Sequence, residues 1–203
     1  MKRLVFIAIL VTLVLGGFTL ADASLIDNGP DPVTGYHLIY DTNLDITWYN
    51  YTYAPVPSPS TSLSQAVAWA SSLTVGGVSA WTLPTTPGTM LFAYTSEGQM
   101  GELYYTQLGN TAGGPLTNTG PLTKLLTTQP YWYDTLYDAN YAFNFYFATG
   151  QQSKDGIVGS PDYAIAVHTG DIGPSGVIPI PGAILLFAPG LAGLAAIRRR
   201  FKK

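Results

Sequence analysis

The sequence predicts an α+β domain. Two stretches with apolar residues at helical spacing lie in its first half, and short aromatic runs bounded by turn residues dominate the second. An apolar, charge-poor run near each end sets the limits of this domain. The middle left between them is about 150 residues long, enough for one domain with its own core. No internal repeat is visible.

In chain order, residues 36–40 and 46–49 read as two short strands around a turn at Asp41-Thr42-Asn43-Leu44-Asp45. Residues 54–62 carry Pro55, Pro57 and Pro59, which excludes a central strand. Ser62-Leu63-Ser64-Gln65 has the spacing of a capping box. Leu63, Ala66, Val67, Ala70 and Leu73 then follow at helical intervals, predicting a helix over 63–73 that Gly76-Gly77 ends. Residues 81–85 read as extended. A second helix is expected with Ser96 as its cap, Gln99 three residues on, and Met100, Leu103, Tyr104 and Leu108 as its buried face, stopping at Gly109-Asn110. Residues 110–121 form a Gly/Thr/Asn/Pro loop. Strands are expected at 131–133, 141–147 and 163–168, with 150–159 as a turn-rich link and the strands forming an antiparallel sheet.

The ends carry targeting chemistry. Met1-Lys2-Arg3, an apolar run over 4–20, and small residues at Ala21 and Ala23 make the three parts of a secretory signal peptide. Residues 1–23 are therefore expected to be removed by signal peptidase before Ser24. At the other end, residues 177–203 hold Pro179-Ile180-Pro181, an uncharged run over 182–197, and the basic cluster Arg198, Arg199, Arg200, Lys202 and Lys203. As a helix the uncharged run reaches about 24 Å, close to the ~30 Å hydrocarbon core, and snorkelling basic side chains can cover the difference. Its apolar residues surround the helix, as a transmembrane helix requires, and the basic cluster favours the cytoplasmic side. The two ends agree: residues 24–176 are exported and the last residues stay inside.

Removing these ends changes the electrostatics. Only Lys124 and Lys154 remain in residues 24–176, against eleven Asp and Glu, a net charge of −9. Such a domain repels polyanions and has no basic patch for phosphates, so nucleic acid is excluded as a partner. Cysteine is absent, which excludes thiol nucleophiles, iron–sulfur sites and Cys-based zinc sites.

The C-terminal order of proline motif, transmembrane stretch and basic cluster resembles the PEP-CTERM class of bacterial sorting signals, with Ile180 where Pro-Glu-Pro is usual. The resemblance implies an exosortase as partner. It also implies a Gram-negative cell that makes exopolysaccharide, and an inner-membrane-anchored precursor destined for the envelope, cell surface or extracellular matrix.

The middle has its own resemblance. Asp41-x-x-x-Asp45-Ile46-Thr47-Trp48, Ala66-x-x-Trp69-Ala70 and Trp81-x-Leu83-Pro84-Thr85 resemble the opening of the Lcl C-terminal domain family. Tyr131-Trp132-Tyr133, the aromatic run 141–147 ending in Thr149-Gly150, and residues 164–171 resemble its second half. This resemblance implies a single C-type-lectin-like domain and, for some members, polysaccharide binding. His168 stands where that family usually has Arg.

Catalysis finds little support. The two histidines are His37 and His168, and no Gly-x-Ser-x-Gly elbow is present. Asp134 with Asp138, or Glu97 with Glu102, could serve glycoside hydrolysis, but solvated charges in a turn and at a helix start explain them as well. The expectation is a protein without enzymatic activity or obligatory cofactor, with an unrecognised hydrolase as the remoter alternative. Asp41, Asn43 and Asp45 alternate as oxygen donors like the start of a calcium loop, yet lack its Gly and distal Glu; an Asx-rich turn accounts for the same residues. Trp69 and Trp81 are expected in the core. Tyr131, Tyr133, Tyr137 and Tyr141, where exposed, are the candidates for stacking on sugar rings. The expected role is adhesion or matrix structure, with a specific carbohydrate-binding module as the alternative.

Overall fold

The structure is a computed structural model and describes residues 25–54 and 62–173. Its elements are β1 (Leu25–Pro30), β2 (His37–Asp41), β3 (Ile46–Tyr53), α1 (Leu63–Ser72), β4 (Ala93–Tyr94), α2 (Gly98–Glu102), a π-helical turn Leu103–Gln107, β5 (Tyr131–Leu136), β6 (Tyr141–Tyr146), β7 (Gln151–Gly156) and β8 (Ala164–Thr169). The α+β class stands, but its strands form two antiparallel four-stranded sheets rather than one, ordered β1-β2-β3-β8 and β4-β7-β6-β5. The extended segment at 81–85 joins them. Thr82 and Val167 exchange backbone hydrogen bonds at 2.9 and 2.8 Å, and Asp134 N donates to Pro84 O at 2.7 Å.

Strand alternation gives each sheet two buried faces. On one side Ile39, Ile46, Trp48, Ile165 and Val167 meet Tyr131, Tyr133, Phe143, Phe145 and Phe147, closed by Met100, Leu103, Tyr104 and Leu108. On the other, Leu38, Tyr49, Ala164, Ala166, Trp132 and Ala142 pack against Leu63, Ala66 and Ala70 of α1. Trp48, Trp81 and Trp132 are fully buried. Large apolar side chains of this kind contribute about 1.5–3 kcal/mol each on burial.

The hairpin around Asp41–Asp45, the helix from Leu63 and the buried face of the second helix fall where expected. Several details differ. Ser62 makes no side-chain cap; its hydroxyl pairs with that of Ser64 at 2.6 Å, so the capping box is not formed. The second helix is capped at Glu97, not Ser96, and widens after Glu102. The π-turn bond from Leu108 N to Leu103 O, at 3.0 Å, keeps both side chains on the core face. The expected turn-rich link at 150–159 contains strand β7, paired on both sides. Its Gln152 is buried because Thr86, Met90 and Glu97 satisfy its amide. No helix among the described residues is long and apolar enough to cross a membrane. The expected signal peptide, with Ala21 and Ala23, and the expected C-terminal helix lie outside the described residues.

Candidate ligand-binding surface

The β5–β6 turn is built by Asp138, whose carboxylate accepts the backbone N–H groups of Asn140 at 2.7 Å and Tyr141 at 3.0 Å. It projects two tyrosines from the end of the second sheet: Tyr137 is 46% exposed and Tyr141 42%. Lys154 comes from β7 opposite Phe143. Its ammonium lies 3.6 Å from the Tyr137 ring centroid and 4.5 Å from that of Tyr141. Cation–π attraction holds the three together, and Phe143 supports Tyr137 edge-on at 5.6 Å. The result is an apolar surface with two hydroxyls and one ammonium, a donor set that suits the C–H faces and hydroxyls of a sugar.

The neighbouring loop is fixed from within. The Glu97 carboxylate accepts from Thr89 N and Met90 N, each at 3.0 Å, from Gln152 Nε2 at 2.9 Å, and from the Thr89 hydroxyl. Burial would raise this carboxyl, but the hydrogen bonds from Thr89, Gln152 and Met90 outweigh it and leave the group below its ordinary value. Gly88 packs so closely on Phe143 that an added Cβ would stand 2.8 Å from its ring. Beyond it Phe92, 62% exposed, adopts φ +52°, an unusual backbone for a bulky residue.

The other candidates are not brought to this surface. Tyr131 and Tyr133 are fully buried, because alternation along β5 turns both into the core. They therefore offer no face to a sugar, and that part of the expectation is corrected. The Tyr131 hydroxyl is shared with Thr52 at 2.7 Å and accepts from Leu126 N at 2.7 Å; burial pushes it up to about 12. The Tyr133 hydroxyl accepts from Gly101 N at 3.2 Å, and burial raises it further.

Asp41 is also buried, and its carboxylate serves the turn. It accepts from Asn43 N and Leu44 N at 3.1 Å, Gln107 Nε2 at 2.9 and 3.0 Å, and Trp48 Nε1 at 3.3 Å. Asp45 accepts instead from the Tyr40 hydroxyl at 2.9 Å. The Asx-turn reading of Asp41, Asn43 and Asp45 therefore accounts for the geometry. No group of three or more His, Cys, Asp or Glu that could hold a metal occurs among the described residues.

His37 pairs with Asp27 at 2.8 Å on the surface, and His168 lies with its ring 5.5 Å from Trp81. Asp138 is committed to its turn, and Glu97 to its loop. Pro179, Ile180, Pro181, Arg198, Arg199, Arg200, Lys202 and Lys203 lie outside the described residues.

A second aromatic feature escaped the sequence reading. Tyr53 stacks on Trp69 at 4.9 Å, Tyr51 lies 6.0 Å from Trp69, and Tyr36 sits 4.7 Å from Tyr51. All four are only partly buried, so Trp69 is not the core residue expected. The signal was present in Tyr49-Asn50-Tyr51-Thr52-Tyr53, whose period of two places all three tyrosines on one face of β3. No protein-family model matches the chain, and no curated protein matches it significantly.

Proposed function

We propose that the chain is an exported binding protein of the cell envelope or exopolysaccharide matrix, built on a lectin-like domain and acting in adhesion or matrix structure. The observation that carries the binding part is the Tyr137–Lys154–Tyr141 cluster. Two half-exposed rings grip one of the two lysines of a domain that is otherwise strongly acidic. The aromatic faces would take the C–H surface of a polysaccharide, and Lys154 and the hydroxyls would orient it. The N-terminal signal pattern and the Pro179-Ile180-Pro181 tail support delivery by signal peptidase and an exosortase.

Sedimentation of the protein with purified exopolysaccharide tests the binding. The expected result is co-sedimentation that the double substitution Tyr137→Ala/Tyr141→Ala abolishes while the fold persists; equal co-sedimentation of the variant refutes the site. Deleting residues 179–203 should release the protein in soluble form, and unchanged localisation would refute the sorting.

A further inference from the structure

The loop from β7 to β8, residues 157–163, straps the α1-facing side of the second sheet. Ile157 N donates to Asn140 O at 2.9 Å, and Leu63 N, at the start of α1, donates to Ile157 O at 3.0 Å. Tyr163 N donates to Pro130 O at 2.8 Å, and Trp132 N to Tyr163 O at 2.9 Å. Ile157 and Val158 of the strap, with Leu63, Val67 and Ala68 of α1, wall an apolar groove of about 370 Å³.

The strap itself carries Asp162, only 2% exposed. Its Oδ2 accepts from Asn144 Nδ2 at 2.8 Å, and the same nitrogen donates to Asp155 Oδ2 at 2.7 Å. Bonding to the one Asn144 nitrogen brings the two carboxylates side by side. No lysine, arginine or histidine among the described residues forms an ion pair with either. Lys154 turns to the opposite face, where the tyrosine rings hold its ammonium. Asp155 is the charged group that acts on Asp162, and Asn144 of β6 is the uncharged side chain bonded to both. The adjacent Tyr163 has its hydroxyl bonded to Thr128 at 2.5 Å.

A buried carboxylate that shares one amide nitrogen with a second, partly buried carboxylate is disfavoured in its charged form when no neutralising partner is present. One proton resolves the conflict: Asp162 donates it to Asp155 while Asn144 donates to both. Burial first, opposed by the Asn144 bond and reinforced by the charge and hydrogen bond of Asp155, pushes the Asp162 carboxyl up to about 7. The layer under the strap is also incompletely bonded. Trp132 Nε1 and Asn144 Oδ1, on cross-strand partners, are buried without hydrogen bonds, and water would satisfy both once the strap lifted.

We propose that Asp155 and Asp162 form a proton-held latch. Sharing one proton, they fasten the strap over the second sheet; losing it, they release the strap and remove one wall of the α1 groove. The two states of the groove thus follow the pH outside the cell.

Amide hydrogen exchange on the full-length chain in detergent, corrected for intrinsic rates, tests this. Between about pH 5.5 and about pH 8.5, protection at Leu63, Ile157 and Tyr163 should fall by about tenfold or more, while Val167 in β8 keeps its protection. Asp162→Asn, which mimics the protonated state, should hold the strap protected at both values. Asp155→Asn gives the same readout should the first variant fail to fold. Equal protection of the wild type at both values, or an undiminished loss in a folded variant, would overturn the latch. So would strap protection at high pH that returns on adding millimolar calcium, since a metal would then be the partner.

Discussion

Gln107, on the π-helical turn, donates its side-chain amide to both carboxylate oxygens of Asp41, 66 residues earlier, at 2.9 and 3.0 Å. This contact ties the β2–β3 turn to the second helical segment, and Trp48 Nε1 adds to it from the core. Asp41→Ala leaves a partly buried amide and a buried indole N–H without their acceptor. A loss of about 2–4 kcal/mol is expected in urea unfolding. Because protein donors already occupy the carboxylate, exchanging calcium for chelator should leave the wild-type midpoint unchanged.

Asp162 and Glu97 give stability opposite pH slopes. The folded Asp162 carboxyl, near 7, lies above its ordinary 3.8, so the folded chain holds the extra proton between those values. Its contribution is complete below about pH 4 and is lost as pH rises through 7. Glu97 is lowered from 4.5, so its contribution is present above that value and lost in acid. Thermal unfolding should therefore show a maximum in mildly acidic solution. Asp162→Asn should gain about 1–3 kcal/mol over wild type at pH 8, with the gap narrowing as pH falls and closing only near pH 4. A variant that is no more stable at pH 8 would contradict the assignment.

Lys154→Met removes the cation shared by Tyr137 and Tyr141. The rings are half-exposed, so unfolding free energy should fall by only about 0.5–1 kcal/mol. Polysaccharide co-sedimentation should weaken severalfold more than that small change would suggest. Loss of stability without loss of binding would mark the cluster as structural.

Gly150 and Gly109 both have positive φ, +78° and +63°, but their surroundings differ. A Cβ at Gly150 would meet Tyr104 Cε1 at 2.5 Å and crowd the Tyr105 hydroxyl, which bonds to Gly150 O at 2.7 Å. Nothing lies within 4 Å of a Cβ at Gly109. Gly150→Ala should cost about 2–4 kcal/mol in urea unfolding, against about 1 kcal/mol for Gly109→Ala.

The sequence disclosed features governed by local spacing. The helix from Leu63 and the face of Met100, Leu103, Tyr104 and Leu108 follow from apolar periodicity, and the Asp41 turn follows from Asx chemistry. Strand β7 was hidden because Gln151-Gln152-Ser153-Lys154-Asp155-Gly156 has no apolar alternation; backbone pairing to β6 and β4 makes it a strand. Half of the proposed tyrosine platform was misassigned for a related reason. Tyr131, Trp132 and Tyr133 are all buried because both faces of β5 are covered, one by residues such as Phe145 and the other by the α1 side, and that double covering comes from distant segments. The Asp155–Asp162 contact was likewise illegible, since the β6 side chain of Asn144 completes it.

The pairing of β3 with β8 has a consequence for the birth of the molecule. Thr47 donates to Gly170 O, 123 residues further on, at 2.7 Å, and Ile46, Trp48 and Tyr49 find their register on Thr169, Val167 and Ala166. Until that last strand arrives, β3 has an open edge and both hydrophobic layers lack a wall. A polypeptide synthesised amino-terminus first therefore cannot close its first sheet until nearly all of it has left the ribosome. Such late closure slows folding, as long-range pairing generally does, and keeps the nascent chain loose throughout its synthesis.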